Sequence, residues 1–343
     1  MVATLEDTKR QAIGMKLADM KALQKLLIAN EEMFIKSCND AELCDRFRDM
    51  LEDDRKNMGV LETTIVQYGI QSEPQETTTE MIEAVQKLMK GSELTMFEKV
   101  SQHELLKHKQ TMAGLLVHKA AQVVGADIEA AITPLNTVNF ENRAHQEQLK
   151  GMLEVLGVRE LTGKDPDQGV WARVQDGMAA MSGIIGSAVT RTKDEMNIIE
   201  LISMDHRKVD TIFMEIEKTE DPQKLQEFFG QLYKDLSVHA EAEEQIVYPA
   251  VRSYYSDTQE LYNEQAEMKQ MLSQIKALNP HATSEFKAQI AQLKAGVKAH
   301  VKQEESDMFS KIRDHFSEAQ MEQMATQFKA AKSTLQQEMA SMS

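Results

Sequence analysis

Apolar residues recur along the chain every three to four positions, in long blocks separated by short clusters of helix breakers. This spacing is typical of amphipathic α-helices. In the first half the predicted helices cover residues 17–36, 42–68, 79–89, 94–124 and 128–156. In the second half they cover residues 194–218, 222–254, 260–278, 284–316 and 318–339. The pattern therefore predicts two groups of long helices.

Composition and length turn this pattern into a fold. Leu, Met, Ala, Gln, Glu and Lys dominate, and the 343 residues include only 6 Pro and 15 Gly, a balance that favours helix. A chain of this length accommodates two domains, each with its own core. We predict an all-α protein of two antiparallel four-helix bundles, in residues 1–160 and 193–343, the second followed by a C-terminal helix.

Residues 161–192 form the predicted linker between the bundles. Around its start lies the Gly-, Pro- and Asp-rich stretch GVRELTGKDPDQG, and the small-residue segment GMAAMSGIIGSAV follows. A membrane span needs about 20 apolar residues, so this segment is too short to cross a bilayer. We predict that it forms a short helix that packs closely against a neighbour.

The charge balance restricts the expected partners. A formal net charge of −16 disfavours nucleic acid or an anionic membrane as the main partner, since both repel an acidic surface. Neither a signal peptide in residues 1–30 nor a membrane-spanning apolar run is recognisable, so we expect a cytoplasmic protein. Cys38 and Cys44 are the only cysteines, and we interpret them as ordinary thiols.

Two stretches of the second half share one layout. HAEAEEQIVYP begins at His239 and HVKQEESDMFS begins at His300, and each histidine precedes a glutamate, Glu243 or Glu304, by four positions. Side chains four apart lie on the same face of a helix, so each pair presents one nitrogen and one carboxylate in the same direction. Nitrogen and oxygen ligands without thiolate suit iron or manganese, which helical bundles hold with carboxylates in a buried core.

The helix before each pair carries one polar residue close to its apolar stripe. In MDHRKVDTIF, a step of about 100° per residue places His206 near the core-facing side. The same count in YNEQAEMKQMLSQI places Gln265 at the corresponding angle. The second half therefore resembles an internal duplication in which a glutamine has taken the place of a histidine.

A lone histidine followed by two HxxxE pairs, with YP after the first and MF after the second, resembles the hemerythrin-like HHE cation-binding family over about residues 194–316. The resemblance implies a four-helix bundle with an oxo- or hydroxo-bridged non-haem diiron centre. Two glutamates would bridge the irons and histidines would cap them. Carried onto this sequence, the implied metal site comprises His206, His239, Glu243, Gln265, His300 and Glu304.

Gln265 departs from the family pattern, since an amide oxygen is a weaker iron ligand than imidazole. One iron would then be held loosely, gain an open position, or recruit Glu264 or Glu267 instead. Glu244 and Glu305, next to the bridging candidates, are interpreted as solvated side chains or as acceptors that orient an imidazole from behind.

The first half resembles the stress-associated bacterial ferritin-like family over about residues 15–157, through the phrases RKNMGVLETTIVQYGIQSEP, KAAQVVGAD and FENRAHQEQLKGMLEVLG. Such sites need a glutamate on two helices and a Glu-x-x-His pair on the other two. Asp54, Asn57 and Asn142 depart from that requirement, and Lys107 would oppose a dication. We predict a scaffold or dimerisation role without metal. The remaining conceivable ligands are Glu32, Glu98, Glu104, His108, Glu141 and His145.

Several functions fit an iron site of this kind. Binding of O2 or NO suits a sensor or carrier, reaction with peroxide or O2 suits an oxidoreductase, and loosely held iron suits a donor or buffer. The sequence favours handling of iron or small oxidants in a stress response. The alternatives are a metal-free helical scaffold or interaction protein and a diiron oxidoreductase with an unidentified substrate. The oligomeric state stays open, with a homodimer as one option.

Overall fold

The structure is a computed structural model that describes residues 5–166, 169–171, 173–175, 177–178, 196–278 and 283–341. These residues form helices and contain no strand, so the all-α prediction is confirmed. Most of the predicted small-residue helix of the linker lies outside the described residues. Within the described parts of the chain, every helix is too polar or too short to cross a membrane.

The first half contains a bundle of long helices. Its elements are α1 (Leu5–Ser37), α2 (Ala41–Tyr68), α3 (Glu76–Lys90), α4 (Met96–Val124), α5 (Ala126–Ile132) and α6 (Leu135–Thr162). Helix α1 packs against α2 and α4, and α4 packs against α6. The predicted helix over residues 128–156 is instead divided between α5 and α6, because Pro134 lacks an N–H group and restricts the residue before it.

The second half contains the helices that carry the HxxxE pairs. They are α7 (Ile198–Lys218), α8 (Pro222–Ala242), α9 (Tyr248–Val251), α10 (Thr258–Lys276), α11 (Thr283–Gln303), α12 (Phe309–His315) and α13 (Glu318–Ser341). Helix α7 begins with a capping box between Asn197 and Glu200, and α8 begins with Pro222, whose missing N–H costs nothing there.

Two π-helical turns interrupt the helices of the HxxxE pairs. The turn Glu243–Val247 joins α8 to α9, and the turn Glu304–Met308 joins α11 to α12. Each turn begins at the glutamate of its pair. π-Helical turns are rare and often occur at functional sites, so their matching positions support the predicted duplication.

The two halves contact each other through buried polar side chains. Lys208 of α7 donates to the carbonyl oxygens of Gln67 (2.7 Å) and Tyr68 (3.1 Å) at the end of α2. From the C-terminal helix α13, Gln336 donates to the carbonyl oxygen of Val66 at 2.9 Å. Helix α13 therefore lies against the first half, while its apolar face joins the core of the second bundle.

Cys38 and Cys44 form a disulfide across the turn between α1 and α2, with Cα atoms 5.9 Å apart. The interpretation of these residues as free thiols is therefore wrong for this structure. The short turn brings the two Cα atoms into the range that a disulfide spans, and this geometry is not visible in the spacing of the cysteines along the chain.

Candidate metal centre

A layer of buried polar side chains lies inside the second bundle, between two apolar cores. One core includes Tyr248, Met308 and Phe328, and the other includes Val209 and Leu272. The structure brings all six residues predicted from the sequence into this layer, and none is more than 9% exposed. We call these six residues the cage: His206, His239, Glu243, Gln265, His300 and Glu304.

The donor atoms of the cage point toward one another. Those of His206, His239, Glu243 and Glu304 all lie within 4.8 Å of one another, close enough to hold a metal ion. The Nε2 atom of His206 lies 3.3 Å from Oε2 of Glu304, and that of His239 lies 3.3 Å from Oε2 of Glu243. On the other side, Nε2 of His300 lies 3.2 Å from Oε1 of Glu304.

Each cage histidine is held from behind by a carboxylate. The Nδ1 atoms lie 2.9 Å from Glu305 for His206, 2.8 Å from Asp205 for His239 and 2.7 Å from Glu264 for His300. When Nδ1 donates to a carboxylate, the lone pair of a neutral imidazole resides on Nε2, the atom that faces the centre. This arrangement is the one that metal-binding histidines adopt.

These contacts decide the roles of several acidic residues. Of the two interpretations of Glu305, a solvated side chain or an acceptor behind an imidazole, the structure shows the second, since its carboxylate lies 2.9 Å from Nδ1 of His206. Glu264 was an alternative metal ligand, but it accepts from the outer nitrogen of His300, and Glu267, the other alternative, is exposed. Both lie outside the cage because their positions on α10 direct them away from the face that carries Gln265. Glu244 binds Lys269 at 2.8 Å.

Asp205 connects the cage to the C-terminal helix. Lys332 of α13 lies 2.6 Å from both carboxylate oxygens of Asp205, and both side chains are buried. Burial opposes ionisation of Asp205, but Lys332 and His239 outweigh it and lower the pKa of this carboxyl group. The acceptor behind His239 is therefore held as an anion by a residue more than one hundred positions away along the chain.

Tyr248 is a member of the site that the sequence reasoning missed. Its hydroxyl donates to Oε1 of Glu304 at 2.7 Å, accepts from Nε2 of Gln265 at 2.6 Å, and lies 3.2 Å from Nε2 of His300. Burial and the two cage glutamates raise the pKa of Tyr248 well above its usual value. Its place in the repeated layout, where Phe309 occupies the matching position, is the sequence signal that could have revealed it.

Several cage atoms are buried without a hydrogen-bond partner among the described residues. They are Nε2 of His206 and His239, Oε1 of Glu243 and Gln265, and Oε2 of Glu304. Burying a polar atom without a partner costs free energy, and here such atoms converge on one point. Nitrogen and carboxylate oxygen in this arrangement fit a transition-metal ion, which would satisfy them together.

The electrostatics of the cage favour positive charge. Burial, followed by the nearby Glu304, raises the pKa of Glu243 to about 7. Burial lowers the pKa values of the histidines, but the carboxylates around them prevail and raise His206 to about 10 and His300 to about 9. The carboxylates therefore stabilise positive charge at this point, either as a proton on a histidine nitrogen or as a metal ion that displaces the proton.

A small cavity adjoins the cage. Its polar wall consists of His206, His239, Gln265 and His300. The rest of its lining is mainly apolar: Val209, Leu236, Ala240, Met268, Leu272, Val297 and Val301, with Lys269. The space suits a molecule about the size of water.

The first half also contains a buried polar group, which we call the lysine cluster: Glu31, Asp54, His103, Lys107 and His145, each 0% exposed. The Lys107 ammonium donates to Asp54 and lies 3.2 Å from Oε1 of Glu31 and 2.9 Å from Nδ1 of His145. Lys107 thus fills the centre of this group with its own positive charge, which would oppose a dication there.

The other conceivable ligands of the first half are dispersed. Glu32 pairs with Arg55, Glu98 caps α4, and Glu104 and His108 contact Gln146. The exception is a group of Asp53, Glu141 and His145, whose donor atoms lie within 4.8 Å of one another. His145 is the buried member of that group and also contacts Lys107.

Comparison with known proteins identifies the class of the second half. Residues 197–312 match the model of the hemerythrin HHE cation binding domain. The protein is thus a helical protein with a hemerythrin-type domain in its second half.

A protein of Nostoc sp. (strain PCC 7120 / SAG 25.82 / UTEX 2576), named DNA nickase, is 63% identical over 341 residues, covering 98% of this chain and 97% of that protein. The chain belongs to the same family as this Nostoc protein. No solved structure matches the chain.

Proposed function

We propose that the protein is a non-haem iron protein whose cage handles iron or small oxidants such as O2, peroxide or NO. The cage residues would hold the ions, with Glu243 and Glu304 central because their carboxylates lie between the histidines of the two HxxxE pairs. Bound iron would supply a redox-active centre that binds a small ligand and, toward an oxidant, donates electrons. The protein's own residues would orient the ligands, exclude water and limit access to small molecules.

The observation that carries this proposal is that the two ring nitrogens of His206 and His239 have different partners. The outer nitrogen is bound by a carboxylate, whereas the inner nitrogens of His206 and His239 lack a hydrogen-bond partner among the described residues. A histidine placed only for stability would have both nitrogens satisfied. Two inner nitrogens that face buried carboxylate oxygens at 3.3 Å without a hydrogen bond support a metal site.

The cavity supports a small ligand. Apart from Lys269 and the polar wall of cage side chains, its lining is apolar and offers no hydrogen bonds to a polar substrate of ordinary size. A diatomic molecule or peroxide fits such a space, whereas a larger organic substrate has no room beside His206 and His300. The site therefore favours chemistry of small oxidants over oxidation of a large substrate.

Iron loading tests the proposal. The full chain would be reconstituted anaerobically with ferrous ion and desalted, and iron per chain would be measured with the absorption spectrum. We expect about two irons per chain for a cage with two bridging carboxylates. His239→Ala and Glu304→Ala should each lose most of the iron, while His315→Ala, which changes an exposed histidine of α12, should lose none. Absence of iron in the unaltered protein would refute the proposal in favour of a metal-free scaffold.

A carrier and an enzyme differ in turnover. The reduced protein would be mixed with O2, with NO and with peroxide while the concentration of each gas or oxidant is followed. Uptake that saturates at the iron content and reverses under vacuum would indicate a sensor or carrier. Repeated consumption of O2 or peroxide in the presence of a reductant would indicate an oxidoreductase.

The name of the Nostoc relative supports a second candidate, cleavage of one strand of DNA. The net charge of −16 opposes close approach to a phosphate backbone, so we favour the first proposal. Incubation of supercoiled plasmid with the iron-loaded protein distinguishes the two. Nicking that disappears in His239→Ala and persists after repeated purification would favour the DNA-cleaving function.

A further inference from the structure

The two sides of the cage are related by the internal duplication but carry different chemistry. On one side, the ring of His206 lies parallel to that of Phe309, with planes 5° apart and centroids 6.5 Å apart. On the other side, Gln265 takes the place of the histidine and Tyr248 takes the place of the phenylalanine. One side of the cage thus has a histidine beside a phenylalanine, and the other has a glutamine beside a tyrosine. On the second side the aromatic residue, rather than its neighbour, carries a hydroxyl that can bind a metal.

The tyrosine hydroxyl occupies the corner that the missing histidine would serve. It lies 3.2 Å from Nε2 of His300, 2.7 Å from Oε1 of Glu304 and 3.4 Å from Oε2 of Glu243. These are the three donor groups on that side of the cage. An ion held by them would have the oxygen of Tyr248 within reach as an additional donor, beside Oε1 of Gln265.

The position of this oxygen is fixed by the backbone and by packing. Tyr248 is the first residue after the π-helical turn that begins at Glu243, and its side chain is 0% exposed. Its ring meets that of Tyr262 edge to face, with centroids 5.0 Å apart. The hydroxyl therefore reaches the cage without freedom to swing into solvent.

Gln265 acts on Tyr248 as a hydrogen-bond donor. Its amide nitrogen lies 2.6 Å from the tyrosine oxygen and 2.8 Å from Oε2 of Glu243. A donor aimed at two oxygens stabilises negative charge on them. The glutamine is thus placed to support an anionic tyrosine oxygen.

We propose that Tyr248 replaces the missing histidine as an iron ligand, binding as phenolate while the Gln265 amide holds its oxygen. This inference rests on the iron site proposed above. In the metal-free cage, burial and the two glutamates raise the pKa of Tyr248, so the phenolate forms only as iron binds. Binding forms an iron–oxygen bond, breaks the O–H bond that Tyr248 directs at Glu304 and releases one proton to solvent, with no change in oxidation state. Tyrosine is an established iron ligand in proteins, as in the haem of catalase, so its chemistry suits the role.

The test is the spectrum of the oxidised, iron-loaded full chain. A phenolate bound to ferric iron gives a visible charge-transfer band and, on excitation in that band, Raman lines of the tyrosine ring. We expect both in the unaltered protein and neither in Tyr248→Phe. That variant should also lose roughly half of its iron, because only the ion on that side loses a ligand. Phenylalanine suits the position because Phe309 fills the matching one.

Tyr262→Phe is the matched control, since this neighbouring tyrosine donates to the carbonyl oxygen of Glu244. It should keep the band and the iron. A loaded protein without tyrosine Raman lines, or a Tyr248→Phe variant that retains them, would overturn the inference while leaving the iron site intact. Absence of iron in the unaltered protein would overturn both. If Tyr248→Phe does not fold, the Raman spectrum of the unaltered protein decides alone.

Discussion

The two halves of the molecule bury similar polar groups inside helical bundles and balance their charge in different ways. In the lysine cluster, the ammonium of Lys107 stands among the carboxylates of Glu31 and Asp54. In the cage, Glu243 and Glu304 face histidine nitrogens and one another, and no ammonium of the described residues lies at the centre. The difference teaches that a buried acidic group needs positive charge, which a lysine supplies permanently in the first half. In the cage, protons on the histidines supply it, and a metal ion can replace those protons.

In the lysine cluster, the chain's own side chains balance the buried negative charge. Burial raises the pKa of Glu31 to about 8, although Lys107 opposes this. Burial also disfavours ionisation of Asp54, but Lys107 and His145 prevail and lower its pKa. Asp54 therefore remains the anionic partner of the Lys107 ammonium, and an added dication would meet the repulsion of Lys107.

The largest expected effect comes from removing the cation of the first half. Lys107→Met leaves the Asp54 carboxylate buried without its partner, which should lower the free energy of unfolding by about 3–5 kcal/mol. Urea denaturation followed by circular dichroism measures this loss. Lys109→Met, which changes an exposed lysine on the same helix, should change the free energy by less than about 0.5 kcal/mol. If the Lys107→Met protein were as stable as the unaltered one, the lysine cluster would not need the ammonium as its cation, and the contrast with the cage would fail.

Removing the metal from the second half should have the next largest effect. Iron bound at a free concentration of 100 times its dissociation constant stabilises the folded state by about 2.7 kcal/mol, and a chelator reverses this. Hydrogen exchange at each amide locates the change. We expect faster exchange in α8 and α11, which carry the HxxxE pairs, and little change in α4, which carries Lys107. Equal changes in both halves would indicate that metal binds in both.

A smaller effect should follow from a lysine that lies outside the cage. Lys332 binds the Asp205 carboxylate behind His239, so Lys332→Met removes the charge that holds this acceptor. Loss of such an outer partner typically lowers metal affinity 10- to 100-fold. Competition with a chromogenic chelator measures the affinity.

Lys329→Met is the matched control for this measurement, since Lys329 also lies on α13 and contacts Thr63 of the first half. It should bind iron as tightly as the unaltered protein. An unchanged affinity in Lys332→Met would mean that His239 keeps its orientation without Asp205 as an anion.

Much of the fold and of the cage was predictable because both depend on helical periodicity. The spacing of His239 and Glu243, repeated at His300 and Glu304, requires only that residues four apart share a face. The angle of His206 on its apolar stripe follows from the same geometry. Local patterns of this kind survive folding because packing of the bundle selects the apolar face of each helix.

The rest of the site depends on features that periodicity does not contain. A π-helical turn shifts every later residue around the helix axis, which brings Tyr248 to the cage although a regular helix predicts another direction. The pairing of Lys332 with Asp205 depends on how α13 docks. The ferritin-like character of the first half stays a prediction, since Lys107 and the dispersed acidic residues are compatible with it without testing it.

The smallest expected effect is that of His145→Ala on metal binding. In the lysine cluster, Nδ1 of His145 lies 2.9 Å from the ammonium of Lys107, so this nitrogen is engaged by a cation already. Its Nε2 lies 3.4 Å from Asp53, which together with Glu141 completes the candidate group of the first half. A dication there would lie close to Lys107, and this repulsion opposes binding.

Iron per folded chain, measured after size-exclusion chromatography, should therefore be the same in His145→Ala as in the unaltered protein, whereas the same substitution at His239 should remove most of the iron. A comparable loss of iron from both variants would show that both halves bind metal, and that the Lys107 ammonium does not take the place of a metal ion in the first half.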